Sequence, residues 1–112
     1  MAENKYFLPD ELHISTWGVK DKVNPIIEYI IWSMIDEARK SGLEMDWMQI
    51  FRLKTVRTRS NDRLLLKITQ IQDEPAYESR FSVSIEPEDA LNGTIWVIDD
   101  LTHATMMWDY EH

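Results

Sequence analysis

Between residues 25 and 41, apolar residues recur at the spacing of one helix face. Asn24 is suited to cap the start of this helix with its side-chain oxygen, and Pro25 fits the first turn, where no backbone N–H is needed. Gly42 can adopt the left-handed conformation that ends a helix. The pattern therefore predicts one amphipathic helix over residues 25–41. Its apolar face consists of Ile26, Ile27, Ile30, Ile31, Met34, Ile35 and Ala38.

Elsewhere the pattern changes to the alternation of apolar and polar residues that is typical of strands. Because neighbouring strands joined by short turns pair antiparallel, and the helix must bury its apolar face, a two-layer arrangement is expected. The sequence predicts an α+β fold, an antiparallel sheet of about five or six strands with one main amphipathic helix packed on one face. The predicted segments are an arm at 1–12, a short strand at 13–19, a hairpin at 47–72 around a turn at 60–62, a strand at 79–85 and a hairpin at 94–110.

Length and composition favour one folded domain over residues 1–112. With 44% hydrophobic and 29% charged residues, the composition excludes a disordered polar chain. The absence of cysteine excludes disulfides, thiolate metal sites and cysteine nucleophiles. No secretory signal is visible, and no apolar run approaches the roughly 18 residues of a membrane-spanning helix. We therefore expect a cytoplasmic protein that does not contact membranes.

Several segments between residues 13 and 110 match the pattern of a known bacterial family. They are TWGV at 16–19, IWSMID at 31–36, MQIF at 48–51, QDEPAY at 72–77 and VIDDLTHATM at 97–106. On these residues the chain resembles a small uncharacterised family of Gram-positive bacterial and phage proteins, the staphylococcal-type domain of unknown function. The resemblance implies a bacterial or prophage origin, and it implies no activity.

Two large aromatic residues fall on the polar side of the predicted helix. Because successive helical residues are about 100° apart, Tyr29 and Trp32 lie with Asp36 away from the isoleucine stripe. Aromatic residues are enriched in the cores of protein interfaces, so Tyr29, Trp32 and Asp36 are candidate interaction residues. Two alternatives remain open, namely cover by the arm at residues 1–12 and simple exposure.

Charge is unevenly distributed along a chain whose net charge is −8. Half of the twelve basic residues lie in the first predicted hairpin, whereas residues 73–112 carry a net charge of −9. A basic two-stranded ribbon could bind nucleic-acid phosphates, although the net charge opposes nonspecific binding. Two other interpretations remain open: acidic neighbours neutralise the ribbon, or the acidic C-terminal part imitates a nucleic acid. The basic residues are Arg52, Lys54, Arg57, Arg59, Arg63 and Lys67.

Two further groups of residues are candidates for binding chemistry. Asp99, Asp100 and His103 fall in one predicted turn, where they could hold a divalent metal or position a general base. Because aspartates in exposed turns more often bond the local backbone, we expect no metal site there. Glu74 and Tyr77 are candidates for lining a pocket, against the alternative of ordinary loop packing.

The function that these features predict is a non-catalytic interaction module, a small acidic protein that binds another protein or itself. The alternative is a nucleic-acid-binding protein that uses the hairpin at 52–67, or an acidic nucleic-acid mimic. The glycines are isolated, and the histidines are not spaced like those of a zinc helix or a catalytic triad. We therefore expect no catalytic residue and no cofactor.

Overall fold

The computed structural model describes residues 4–59 and 63–112, so the predicted turn at 60–62 lies outside the described residues. Within the described ranges the chain forms six strands, two α-helices and two 3-10 helices. No helix in these ranges is long and apolar enough to cross a membrane. The elements are β1 Leu12–Ser15, α1 Trp17–Lys22, α2 Pro25–Lys40, β2 Met48–Arg57, β3 Leu64–Gln72, β4 Tyr77–Ile85, a 3-10 helix Pro87–Asp89, β5 Gly93–Asp99, β6 His103–Trp108 and a 3-10 helix Asp109–Glu111.

The described strands form one sheet in the order β1-β6-β5-β2-β3-β4. Strand β2 pairs antiparallel with β3 and β5, and the pairs β3–β4 and β5–β6 are antiparallel as well. Strand β1 instead runs parallel to β6, with Ile14 beside Thr105. The long connection between these two strands is what a parallel pair requires. The predicted α+β class with one main helix is confirmed, and the sheet is corrected from antiparallel to mixed.

Helix α2 begins and ends through the local interactions that the sequence predicts. The Asn24 side-chain oxygen accepts a hydrogen bond from the Ile26 N–H at 2.8 Å. After the last helical residue, Lys40, Gly42 adopts a φ of 95°, and its N–H donates to the Arg39 carbonyl at 3.1 Å. Because each cap satisfies a backbone group that the helix leaves unpaired, the ends of α2 are set locally.

The core lies between α2 and one face of the sheet. Helix α2 buries five side chains of its apolar stripe, whereas Ile26 at its start is exposed and Ile30 is half-buried. Burial of this much apolar surface is the dominant stabilising term in a domain of this size. The buried residues of α2 are Ile27, Ile31, Met34, Ile35 and Ala38, and those of the sheet include Phe51, Leu53, Leu66, Ile68, Ile95, Val97, Ala104, Met106 and Trp108.

The predicted strand at residues 13–19 and the polar residues after it differ from the structure. Strand β1 ends at Ser15, and helix α1 occupies residues 17–22. The Thr16 hydroxyl accepts a hydrogen bond from the Val19 N–H at 3.2 Å and thereby caps α1. Val19 is buried, while Trp17 is 87% exposed. The predicted strand therefore extends only over residues 13–15, and residues 17–19 instead begin a short, half-buried helix.

The turn at residues 73–76 joins β3 to β4, so the structure extends the first hairpin into a three-stranded antiparallel unit. The sequence predicts that the next strand begins at residue 79, whereas β4 begins at Tyr77, which pairs with Gln72. A Glu74–Pro75 peptide bond in the cis conformation lies within this turn. The register makes β4 an edge strand of nine residues.

Candidate functional site

The two faces of the sheet differ in what covers them. Successive residues of a strand point to opposite faces, so the pairing register assigns each side chain to a face. The face that carries Phe51 and Val97 packs against the helices, and its central side chains are buried. On the opposite face, called the open face below, none of the side chains of the described strands is buried.

The open face carries apolar side chains in two rows that run across the sheet. In the first row Met48 lies beside Ile98, Ile98 beside Thr105 and Thr105 beside Ile14. In the second row Ile71 lies beside Ile50, Ile50 beside Trp96 and Trp96 beside Met107. A sheet face in contact with water normally carries polar residues, so this cluster departs from the rule. We call it the apolar patch, formed by Ile14, Met48, Ile50, Ile71, Trp96, Ile98 and Met107.

Basic side chains occupy the next two rows of the same face. Arg52 pairs with Thr69, which pairs with Arg80, and Lys54 pairs directly with Lys67. We call these four residues the basic stripe. Arg80 forms an exposed ion pair with Glu78 at 2.6 Å, and among the described residues the other three have no ion pair. The basic stripe therefore places positive charge beside the apolar patch, on a chain whose net charge is −8.

The structure divides the six basic residues that the sequence singled out. Arg52, Lys54 and Lys67 share the open face, as part of the basic stripe. Arg57 alternates onto the other face at the end of β2, and Arg59 is exposed beyond that strand. Arg63 forms an exposed ion pair with Glu86 at 3.3 Å, which supplies one instance of neutralisation by an acidic neighbour. The six residues therefore do not form one continuous surface.

The three candidate interaction residues of α2 have different environments. Trp32 is half-buried, because its indole packs against the core and the ring of His13 from β1 stacks on it, with ring centroids 4.0 Å apart. Asp36 accepts from the Arg39 guanidinium at 2.8 Å, and the same Arg39 nitrogen donates to the carbonyl of Phe7 at 3.2 Å. Tyr29 is 71% exposed. The cover on Trp32 thus comes from β1, whereas the arm reaches α2 at Arg39.

A groove between α2 and β4 brings Tyr29 together with Tyr77, one of the two candidate pocket residues. The groove has a volume of about 340 Å³, and Ile30, Met34 and Phe81 also line it. A second depression of about 160 Å³ continues it along Ile30 toward Asn24 and Val83. Glu74 lies apart in the exposed turn between β3 and β4, where its N–H donates to Asp46 at 3.3 Å.

The turn between β5 and β6 uses its carboxylates for backbone hydrogen bonds. Asp100 accepts from the Thr102 hydroxyl at 2.7 Å and from the N–H groups of His103 and Thr102 at 3.0 and 2.9 Å, and these bonds lower its pKa to about 2. Asp99 is buried and accepts from the N–H groups of Leu101 and Phe7 at 2.7 and 2.6 Å. Within residues 4–59 and 63–112, no group of three or more His, Cys, Asp or Glu residues could hold a metal ion.

The apolar patch is the feature that the sequence analysis missed, although a signal for it was present. Residues 95–98 of β5 read Ile-Trp-Val-Ile, an uninterrupted apolar run in which both faces of the strand are apolar. In β2 the usual arrangement, with apolar residues toward the core and polar residues toward water, is reversed at one point, since Gln49 is buried and Ile50 faces outward. A strand with apolar residues on both faces predicts cover on both faces. In the described chain the helices cover only one face, and on the open face the ring of His112 lies edge-on to Trp96, with ring centroids 5.3 Å apart.

The fold and this surface define a two-layer α+β protein with one covered and one open sheet face. The model of the family described as "Staphylococcal protein of unknown function (DUF960)" matches residues 13–111, and the chain belongs to this family. A crystal structure of a protein of unknown function from Enterococcus faecalis is similar in fold, with a TM-score of 0.74 and 18% sequence identity. The alignment covers 100% of this chain and 98% of that chain. None of the curated proteins matches the sequence.

Proposed function

We propose that this protein is a non-catalytic interaction module that binds another protein through the open face of its sheet. The observation that carries the proposal is the apolar patch, in which half-buried Trp96 lies between Ile50 and Met107 at the centre of two apolar rows. Contiguous apolar surface bordered by polar residues is characteristic of protein interfaces. Binding energy in such interfaces is concentrated in central aromatic residues, which makes Trp96 the expected anchor.

The basic stripe favours a partner with acidic residues. Arg52, Lys54 and Lys67 border one side of the patch, and no acidic residue among the described ones forms an ion pair with them. A partner that presents an apolar centre with acidic residues beside it would complement this arrangement. Complementary charge at the rim of an interface raises the association rate and rejects partners of the wrong sign.

The test uses the intact chain as bait in an extract of its bacterial host, followed by measurement with the purified partner. Ile50→Lys introduces a charge into the centre of the apolar patch, and we expect the affinity to fall by about tenfold or more, as for loss of a central interface contact. Ile26→Lys is the matched control, because Ile26 is an isoleucine on α2 that is 67% exposed. Unchanged melting temperatures would show that both variants fold.

A second pair of variants tests the charge requirement. Lys54→Glu reverses a charge of the basic stripe, and Lys20→Glu makes the same change on exposed Lys20 of α1. We expect Lys54→Glu to slow association and Lys20→Glu to leave it unchanged. Full retention of the partner by both Ile50→Lys and Lys54→Glu would contradict the proposal.

A second candidate function is binding of single-stranded nucleic acid on the same face. It is favoured by Arg52, Lys54 and Lys67, which share this face with Trp96, since bases stack on aromatic rings while cations attract phosphates. Most of the apolar patch is aliphatic, which favours the protein partner. Retention on immobilised single-stranded nucleic acid that declines with salt would support this candidate. No retention at low salt would remove it.

A further inference from the structure

The two edges of the sheet differ in length and protection. Strand β1 has four residues, whereas β4 has nine and includes no proline. An exposed edge strand offers unpaired N–H and C=O groups that can pair with another strand, and proteins usually protect such edges with short strands, prolines or inward-pointing charges. The charged residues of β4, Glu78 and Arg80, lie on the open face. No inward-pointing charge of β4 therefore protects this edge on its helix-facing side.

The helix-facing side of β4 is apolar beside the groove. Phe81 is 47% exposed and Tyr29 of α2 is 71% exposed, although both rings line the same groove. Two large aromatic rings left in contact with water on one groove are unusual for a surface without a partner. Main-chain pairing with β4 would place side chains of the added strand beside these rings.

The sequence of β4 is complementary to itself. If a second copy pairs antiparallel about a two-fold axis at Ser79, Glu78 of each copy lies opposite Arg80 of the other. The same register places Tyr77 of each copy opposite Phe81 of the other, on the helix-facing side. Opposite charges and aromatic pairs on adjacent strands both stabilise antiparallel pairing. A register centred on Phe81 would instead place Arg80 opposite Ser82 and would leave the charges without cross-strand partners.

We propose that two copies of this chain associate through antiparallel pairing of their β4 strands about a two-fold axis at Ser79. The sheet then continues from one copy into the other, and the open edge of β4 disappears in both. Such an interface is isologous, because the same surface patch serves both copies. This inference does not rest on the proposed function, since the edge of β4 and the apolar patch are different surfaces.

Single-cysteine variants test the register, because the parent chain contains no cysteine. Ser79→Cys places the two thiols opposite each other across the axis, where directly paired Cβ atoms are about 4.5–5.5 Å apart. We expect mild oxidation or a short bis-maleimide to convert this variant into a covalent dimer. Ser84→Cys is the matched control on the same strand, and in this register it lies opposite residue 74. Equal cross-linking of the two variants would overturn the proposal.

Charge reversal provides an independent measurement. Arg80→Glu places two acidic residues opposite each other twice per dimer, and we expect the dimer affinity in sedimentation equilibrium to fall about tenfold. Adding Glu78→Arg to Arg80→Glu restores opposite charges in the same register and should recover the affinity. Lys20→Glu on α1 is the control for the change in net charge.

Three outcomes would contradict the proposed dimer. The first is a parent chain that stays monomeric at every concentration in light scattering. The second is a double charge variant that dimerises no better than Arg80→Glu alone. The third is a β4 edge that pairs with a segment of a different protein while the chain itself remains monomeric. Ile50→Lys on the open face should leave the dimer intact, which separates this test from that of the proposed function.

Discussion

The imidazole of His13 stacks on the indole of Trp32, with ring centroids 4.0 Å apart and ring planes 6° from parallel. His13 belongs to the edge strand β1, and Trp32 belongs to α2, so the contact attaches the short parallel strand to the helix. A second contact supports it, because the Ser15 hydroxyl donates to the Glu28 carboxylate at 2.5 Å. Strand β1 thus covers Trp32 on the side of α2 that looked unpartnered in the sequence, whereas Tyr29 on that side stays exposed.

Replacement of Trp32 should therefore destabilise the fold. Trp32→Ala removes the stacked pair and the part of the indole packed against the core, and we expect the free energy of unfolding to fall by about 2 kcal/mol. Tyr29→Ala, one turn earlier on the exposed side, should change it by less than about 0.5 kcal/mol. Urea denaturation of the two variants beside the parent measures both values. Equal stability of Trp32→Ala and the parent would mean that the stacked pair contributes nothing.

The same contact predicts a dependence of stability on pH. Burial disfavours the imidazolium form and lowers the pKa of His13 below its ordinary value of 6.5. The unfolded chain then binds the proton of His13 more tightly than the folded protein does. The stabilisation of the folded state by neutral His13 is therefore fully present above pH 6.5 and is lost as the pH falls below it. His13→Phe keeps an aromatic ring for stacking without a titrating group and should reduce this loss in thermal melts. His112→Phe, at the other end of the chain, should retain it.

Local signals in the sequence were sufficient for α2 and insufficient for β1 and α1. The caps Asn24 and Gly42 act through neighbouring residues, so their effect could be read directly. The end of β1 at Ser15 depends on Thr16 capping a helix whose Val19 is buried against distant parts of the chain. The parallel pairing of β1 with β6 joins segments about 90 residues apart, and no local pattern encodes it.

The candidate site was predicted only in part for a related reason. Basic residues in β2 and β3 were visible in the sequence, but their division between two faces depends on the register that pairs Lys54 with Lys67. The apolar patch combines residues of five strands, and each contributes one or two of them. Tyr29 and Tyr77 meet across a groove because α2 lies beside β4, a tertiary relationship that spacing along the chain does not contain.

Buried glutamines provide a test of polar interactions in the core. The Gln72 side chain accepts from the Asp46 N–H at 2.9 Å and from Gln49 at 2.5 Å, and it donates to the carbonyls of Glu44 and Pro75 at 2.9 Å each. Gln72→Leu leaves these groups without their partner, and we expect a loss of about 3 kcal/mol in the free energy of unfolding.

The matched control for this variant is Gln70→Leu. Gln70 is also buried, but it donates only to the Gln49 side-chain oxygen at 3.0 Å, and its own Oε1 has no partner among the described residues. The substitution removes the unpartnered Oε1 of Gln70 but leaves the side-chain oxygen of Gln49 without its donor. The number of unpartnered oxygens stays the same, so we expect the free energy of unfolding to fall by less than about 1 kcal/mol. If the two variants lose equal stability in chemical denaturation, the partners of Gln72 are not the cause.

Two carboxyl groups meet where the N-terminal arm joins the end of β5. Asp99 is buried and holds the arm through the N–H of Phe7 at 2.6 Å, and Phe7 itself is buried in the core. The Oε1 atom of Glu11 is also buried, and no described residue bonds to it. Burial, followed by the interaction with Asp99, raises the pKa of Glu11 from 4.5 to about 7.

Because the folded protein binds this proton more tightly than the unfolded chain, stability should fall as the pH rises from 4.5 to 7. Ionisation of Glu11 places a second negative charge beside Asp99, and this effect is opposite in sign to that of His13. Glu11→Gln keeps a neutral side chain at every pH, so it should be more stable than the parent at pH 8 and similar to it near pH 4. Asp10→Asn removes one charge from an exposed neighbour and serves as the control. Parallel stability curves for Glu11→Gln and the parent across this range would show that the carboxyl pair does not control attachment of the arm.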